Sequence, residues 1–103
     1  MSNDRIAKAR ELYERFPDND LSRFNFAQAY FDAGDLSNAA EHLSPLCAKK
    51  PDWMVVHILL GKCLLATGEP AQAKAVLEHS LKLATAQHHD GPQEELQVLL
   101  KTL

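Results

Sequence analysis

Hydrophobic residues recur at the spacing of an α-helix at both ends of the chain. Within residues 4–16 the apolar positions that share one helix face are Ile6, Ala9, Leu12, Tyr13 and Phe16. Residues 92–103 repeat the pattern after Pro92, with apolar residues at Leu96, Leu99, Leu100 and Leu103. Because residues three and four apart lie on the same side of a helix, both segments are predicted to be amphipathic helices.

Start and stop signals divide the middle of the chain into four more helices. Acidic or amide residues at 18–20, Asp35 and Asp52 are candidate N-caps, and Pro70 suits the first turn of a helix. Gly34 and Gly68 are placed to adopt the left-handed conformation that ends a helix. The predicted helices cover about residues 20–33, 35–49, 53–67 and 70–84.

An internal sequence repeat relates these helices in pairs. Pro17 and Asp18 recur as Pro51 and Asp52, which sets a period of about 34 residues. The same offset relates Ala27 to Gly61, Gly34 to Gly68, Ala39 to Ala73, and Leu43 to Leu77. Residues 18–51 and 52–85 are therefore predicted to be two helical hairpins, with residues 4–17 as a half repeat and 92–103 as a capping helix. The sequence indicates one all-α domain over residues 1–103, with about six helices.

With this period, the chain resembles the tetratricopeptide-repeat (TPR) family. The first repeat supplies the family's residues at Phe26, Ala27, Tyr30, Gly34, Ala39, Leu43, Leu46 and Pro51. The second supplies Leu60, Gly61, Leu64, Gly68, Ala73 and Leu77, but has Ser80 and Thr85 where the first has Leu46 and Pro51. The resemblance implies antiparallel hairpins stacked as a short right-handed α-solenoid. It also implies a protein-binding scaffold whose first helices line a concave groove.

Small residues mark the places where helices are expected to approach each other closely. Ala27 and Gly61 occupy equivalent positions on the first helices, and Ala39 and Ala73 do so on the second helices. The full set predicted to pack the repeats is Ala27, Tyr30, Gly34, Ala39, Gly61, Gly68 and Ala73. Pro45 lies inside a predicted helix and is expected to bend or weaken it.

The opposite side of each first helix carries a second set of mainly apolar residues, called here the stripe. The stripe consists of Leu21, Phe24, Gln28, Phe31, Val55, Ile58, Lys62 and Leu65. In the TPR family this side faces the groove, so these residues are the candidates for partner contact. A mainly apolar groove suits a hydrophobic or amphipathic peptide segment or helix. The alternative is a self-associating structural module, in which the chain's own helices or a second copy in a homodimer cover the stripe.

Composition narrows the class of protein. Hydrophobic residues make up 46% of the chain and charged residues 24%, as in ordinary globular domains. The net charge of −3 and the lack of a basic cluster argue against nucleic-acid binding. No apolar run is long enough to insert into a membrane, and the first residues lack a secretory pattern. Cys47 and Cys63 form no CxxC pair, which suits a reducing compartment, and we expect a cytoplasmic protein.

The sequence offers little support for catalysis or cofactor binding. His88, His89 and Asp90 are the one cluster with metal-ligand residue types, but no further ligand at a suitable spacing completes a tetrahedral set. No nucleophile is placed with a base, an orienting acid and oxyanion donors. We therefore expect a protein that is not an enzyme and that needs neither a cofactor nor a metal.

Overall fold

The chain folds into helices connected by short turns. A computed structural model describes residues 2–103, and the side chains of residues 4–103, so residue 1 of the predicted domain lies outside the described residues. The helices of the described part are α1 (Ser2–Arg15), α2 (Asp20–Asp32), α3 (Leu36–Lys49), α4 (Met54–Ala66), α5 (Pro70–Ala86) and α6 (Asp90–Lys101). The predicted all-α architecture with about six helices is confirmed.

Glycines end the first helix of each repeat as predicted. Gly34 has a φ of 83° and Gly68 a φ of 82°, in the left-handed region that residues with a Cβ rarely adopt. The residue after each glycine donates its backbone N–H to a carbonyl near the end of the helix. Asp35 donates to Tyr30 at 2.9 Å, and Glu69 donates to Leu64 at 2.8 Å. These bonds satisfy the last carbonyls of α2 and α4 and turn the chain back into the second helix of each repeat.

Several helix boundaries differ from the predicted ones by one or two residues. α4 begins at Met54 with Trp53 in the N-cap position, so Asp52 is not the cap that the sequence predicts. The Trp53 ring packs on Phe24, with 5.1 Å between ring centroids. α5 continues to Ala86, and α6 begins at Asp90, ahead of the predicted start at Pro92.

The helices pack in the order of the chain, and each helix contacts its neighbours in sequence. The resulting stack is 38 Å long. A first core cluster joins α2, α3 and α4 through buried residues that include Ala27, Ala39, Leu43 and Leu59. A second cluster joins α4, α5 and α6 through Ile58, Leu77, Ala84 and Leu96. Burial between successive hairpins therefore holds the solenoid together.

The small residues of the repeat lie at the tightest contacts in the stack. Ala27, Ala39 and Ala73 are fully buried, and Tyr30 is half-buried with its ring 4.7 Å from that of Phe26. A Cβ built on Gly61 would meet the Leu77 side chain at 2.5 Å, so α4 and α5 approach more closely than an alanine would allow. Pro45 lies within α3 on its exposed side, and α3 continues through it to Lys49.

Candidate functional site

The half of the stripe on α2 is partly open to solvent. Leu21 is 60% exposed at the start of the helix. Phe24 and Phe31 are half-buried against the first core cluster, and Phe24 packs on Trp53. The Gln28 side-chain amide donates to Asp32 at 3.0 Å. This half of the stripe therefore presents apolar side chains, and its one polar residue, Gln28, is already bonded to Asp32.

The half of the stripe on α4 is largely covered by α6. Val55 is 39% exposed, whereas Ile58 is only 7% exposed because it packs with Leu96 of α6 in the second core cluster. The Lys62 ammonium is 2.7 Å from the Glu95 carboxylate, and half-buried Leu65 packs against the same cluster. Ile58 thus contributes to the core beneath the stripe.

A hollow of about 350 Å³ lies beside the exposed end of the stripe. Leu21 and Trp53 supply its apolar walls, and Asp20 and Lys50 supply its charged rim. Asp20 pairs with Lys49 at 2.9 Å and with Lys50 at 3.6 Å, and the hydrogen bond from Lys49 lowers the pKa of the Asp20 carboxyl. This hollow was not predicted from the sequence, although Trp53 directly after the repeated Pro-Asp pair was a visible signal.

Two larger clefts lie at the ends of the stack, and neither was predicted from the sequence. The N-terminal cleft, between α1 and α2, has a volume of about 520 Å³ and is lined by Asp4, Arg5, Lys8, Ala9, Leu12 and Asn25. The C-terminal cleft, between α5 and α6, has a volume of about 670 Å³ and is lined by Lys74, Glu78, Leu81, Lys82, Thr85, Ala86 and Leu100. Most residues of the second set recur every three or four positions on α5, which is the signal that marks them as one helix face.

Comparison with known proteins identifies the repeat. The tetratricopeptide-repeat family matches residues 31–90. The chain belongs to the tetratricopeptide-repeat family. It is 36% identical over 86 residues to the TPR repeat-containing protein PA0015 of Pseudomonas aeruginosa, a match that covers 84% of this chain and 82% of that protein. The solution structure of protein BPP2914 from Bordetella parapertussis is 27% identical, with a TM-score of 0.78 over 94% of this chain and 84% of that one.

Membership of the TPR family makes this chain a protein–protein interaction module in general terms. Across residues 2–103, no helix has the length and apolar character that crossing a membrane requires.

The thiols of Cys47 and Cys63 are shielded from solvent, the first partly and the second almost completely. Burial raises the pKa of the Cys47 thiol to about 12 and that of the Cys63 thiol to about 11. Since the thiolate is the nucleophile, these raised pKa values favour the protonated, less reactive thiol at neutral pH.

The histidines at the junction of the two repeats have a structural role. The ring centroids of His57 and His79 are 4.7 Å apart. The Nε2 atom of His57 is hydrogen-bonded to the Lys50 carbonyl at 3.2 Å, and that of His79 to the Pro51 carbonyl at 2.8 Å. Burial lowers the pKa of His57, and neighbouring His79 adds to this effect. Neutral rings can donate to both carbonyls, so the pair fastens the α3–α4 turn to α5.

The histidine cluster before α6 forms a helix-ending turn. His88 has a φ of 59°, and the His89 N–H donates to the Ala84 carbonyl at 2.9 Å, as in the turns at Gly34 and Gly68. Among residues 4–103, no three His, Cys, Asp or Glu side chains come together as a metal-binding group. The left-handed backbone at His88 thus ends α5 in the same way as Gly34 and Gly68 end α2 and α4.

Replacing His88 by glycine should stabilise the protein. The left-handed conformation costs a residue with a Cβ about 1 kcal/mol, which glycine avoids, so His88→Gly should raise the free energy of unfolding by up to about 1 kcal/mol. Urea unfolding followed by circular dichroism measures the change. The neighbouring His89→Gly is the matched control and should not stabilise, because His89 has a negative φ of −96°. Equal effects of the two substitutions would contradict the prediction.

Proposed function

We propose that this TPR domain is a non-catalytic adaptor that binds an apolar or amphipathic segment of another protein along the stripe. The residues proposed for this surface are Leu21, Phe24, Gln28, Phe31, Val55, Ile58, Lys62 and Leu65, with Ile58 supporting the surface from the core. The observation that carries the proposal is the shared exposure of Leu21 and Val55, which occupy the same position in successive repeats. Clustered exposed apolar side chains mark interaction sites on soluble proteins.

The charges around the stripe favour an apolar ligand over an acidic tail. The cation on the stripe, Lys62, is already paired with Glu95, and Gln28 is bonded to Asp32. Capturing a carboxylate there would require breaking these contacts. By contrast, the hollow between Leu21 and Trp53 offers apolar walls to one side chain of a partner. Burial of such an anchor removes about 25 cal/mol of unfavourable hydration per Å² of apolar surface.

Selection of peptides from a random phage-displayed library on the immobilised domain tests this proposal. Selected sequences should be enriched in apolar residues at helical spacing. A synthetic copy of one selected peptide should bind the combined variant Leu21→Asp/Val55→Asp at least about tenfold more weakly, equivalent to about 1.4 kcal/mol. Fluorescence anisotropy with the labelled peptide measures the Kd of each variant.

The matched control is Leu103→Asp, which places the same charge on another exposed leucine, 44% exposed at the far end of the chain. This control should bind the peptide as tightly as the wild type. Unchanged affinity of the Leu21→Asp/Val55→Asp variant would overturn the assignment of the stripe, as would selection of purely acidic peptides.

A structural role is the second candidate for the α4 half of the stripe. The core cluster that Ile58 shares with Leu96 and the ion pair between Lys62 and Glu95 favour it, because α6 already occupies that side. If the whole stripe were structural, Leu21→Asp/Val55→Asp would lower the melting temperature of the isolated protein. Under the binding proposal the melting temperature stays close to that of the wild type, because both side chains are exposed.

A further inference from the structure

Exposed apolar side chains lie on the helices at the two ends of the stack, α1 and α6. Leu12 and Phe16 on α1 are 39% and 51% exposed, and Val98 on α6 is 62% exposed. The N-terminal cleft lies between α1 and α2, and the C-terminal cleft lies between α5 and α6. Because the helices pack in chain order, the two clefts are at opposite ends of the molecule.

The repeat register indicates what kind of helix would cover the N-terminal cleft. Ala9 and Leu12 precede Leu43 and Leu46 by one repeat period, and both leucines are buried in the first core cluster. Exposed Asn25 likewise precedes Leu59, which is buried in that cluster. One repeat later, this surface on α3 and α4 is therefore covered, and the covering element is α2, the first helix of the first repeat. The N-terminal cleft thus matches the face of a first helix.

The same comparison applies to the C-terminal cleft. Lys74 and Leu81 on α5 follow Ala40 and Cys47 on α3 by one repeat period. Ala40 and Cys47 pack in the first cluster together with Val76 of α5, the second helix of the next repeat. The C-terminal cleft thus matches the face of a second helix.

The chain itself carries one helix of each kind at its ends. α1 covers residues 4–15 of the half repeat, which align with residues 38–49 on α3, the second helix of the first repeat. α6 follows α5 as α4 follows α3, in the place of a first helix. Their lengths of 12 and 14 residues, for α6 and α1, are close to the 13 and 14 residues of the α2–α3 hairpin.

We propose that copies of this chain associate head to tail, with α6 of one copy and α1 of the next forming an intermolecular hairpin that continues the solenoid. In this arrangement α6 fills the N-terminal cleft of the next copy, and α1 of that copy fills the C-terminal cleft of the first. Val98 then packs against Ala9 and Leu12, which removes exposed apolar surface at both ends.

Charges on the two helices match in this arrangement. The helices of a hairpin are antiparallel, so the end of α6 meets the start of α1. Lys101 then lies near Asp4, while Asp90 and Glu94 at the start of α6 lie near Arg15 at the end of α1. A parallel arrangement would place Asp90 beside Asp4 and Lys101 beside Arg15. Electrostatic complementarity therefore favours the orientation that the hairpin requires.

Sedimentation velocity across a dilution series tests the proposal with two variants. Head-to-tail contacts join unlike surfaces and do not close after two copies, so the wild-type mass should rise past that of a dimer with concentration. Leu12→Asp blocks one end and Val98→Asp the other, and each should shift association to at least about tenfold higher concentration. Both residues are exposed, so circular dichroism should show unchanged folding.

Mixing the two variants gives the sharpest result. Each retains one intact end, so an equimolar mixture should form a one-to-one dimer that grows no further. The combined variant Leu21→Asp/Val55→Asp should associate like the wild type, which separates this contact from the stripe and makes its outcome independent of the proposed binding function. A wild type that remains monomeric at every concentration would overturn the proposal. So would an associating wild type whose two end variants fail to pair when mixed.

Discussion

Gly61→Val is expected to lower the free energy of unfolding by about 1–3 kcal/mol, the usual cost of overpacking a core. The Cβ of any larger residue would lie 2.5 Å from Leu77 Cδ2 and 2.8 Å from Leu77 Cγ. Leu77 is fully buried in the second core cluster, so it has no free space to move into. The two helices of the second repeat would have to separate. Urea unfolding followed by circular dichroism measures the loss.

Gly91→Ala is the matched control for this prediction. Gly91 lies in the first turn of α6, and a Cβ there would meet no atom within 4 Å. Alanine is favoured over glycine in a helix by up to about 1 kcal/mol, so this substitution should stabilise the protein slightly. If Gly61→Val unfolded at the same urea concentration as the wild type, the close approach of α4 and α5 would not restrict the size of the side chain at position 61.

The repeat was predictable because hairpin packing imposes local demands on the sequence. Gly34 and Gly68 were found from spacing alone, since only glycine adopts their backbone conformation without strain. His88 was not found as a turn residue because its left-handed conformation is unusual for a side chain with a Cβ. As a result, the predicted end of α5 at residue 84 falls short of its actual end at Ala86.

The sequence predicts which residues share one face of a helix, but not which of them a neighbouring helix covers. Projection of α2 and α4 placed Leu21 and Val55 on one side, and both are exposed. Coverage of Ile58 depends on where α6 lies across α4, which no local pattern in either helix determines. The end clefts raise the same difficulty, because Leu81 and Leu100 meet only after α5 and α6 have packed.

Leu96→Ala should destabilise the protein by about 2–5 kcal/mol, the cost of removing a buried leucine side chain and leaving a cavity. Leu96 is the fully buried residue of α6, and it packs with Ile58, Leu77 and Ala84. A loss of this size is a large fraction of the roughly 5–15 kcal/mol that typically stabilises a domain. The urea midpoint should fall clearly, and amide hydrogen exchange should show α6 opening more often than in the wild type.

Val98→Ala separates this effect from the general loss of an apolar side chain on α6. Val98 lies on the same helix and is mostly exposed, so its truncation should change the free energy of unfolding by no more than about 0.5 kcal/mol. Similar losses from the two substitutions would mean that Leu96 does not anchor α6. A selective loss at Leu96 would instead show that this side chain holds α6 across Ile58, and therefore that α6 sets how much of the stripe stays open.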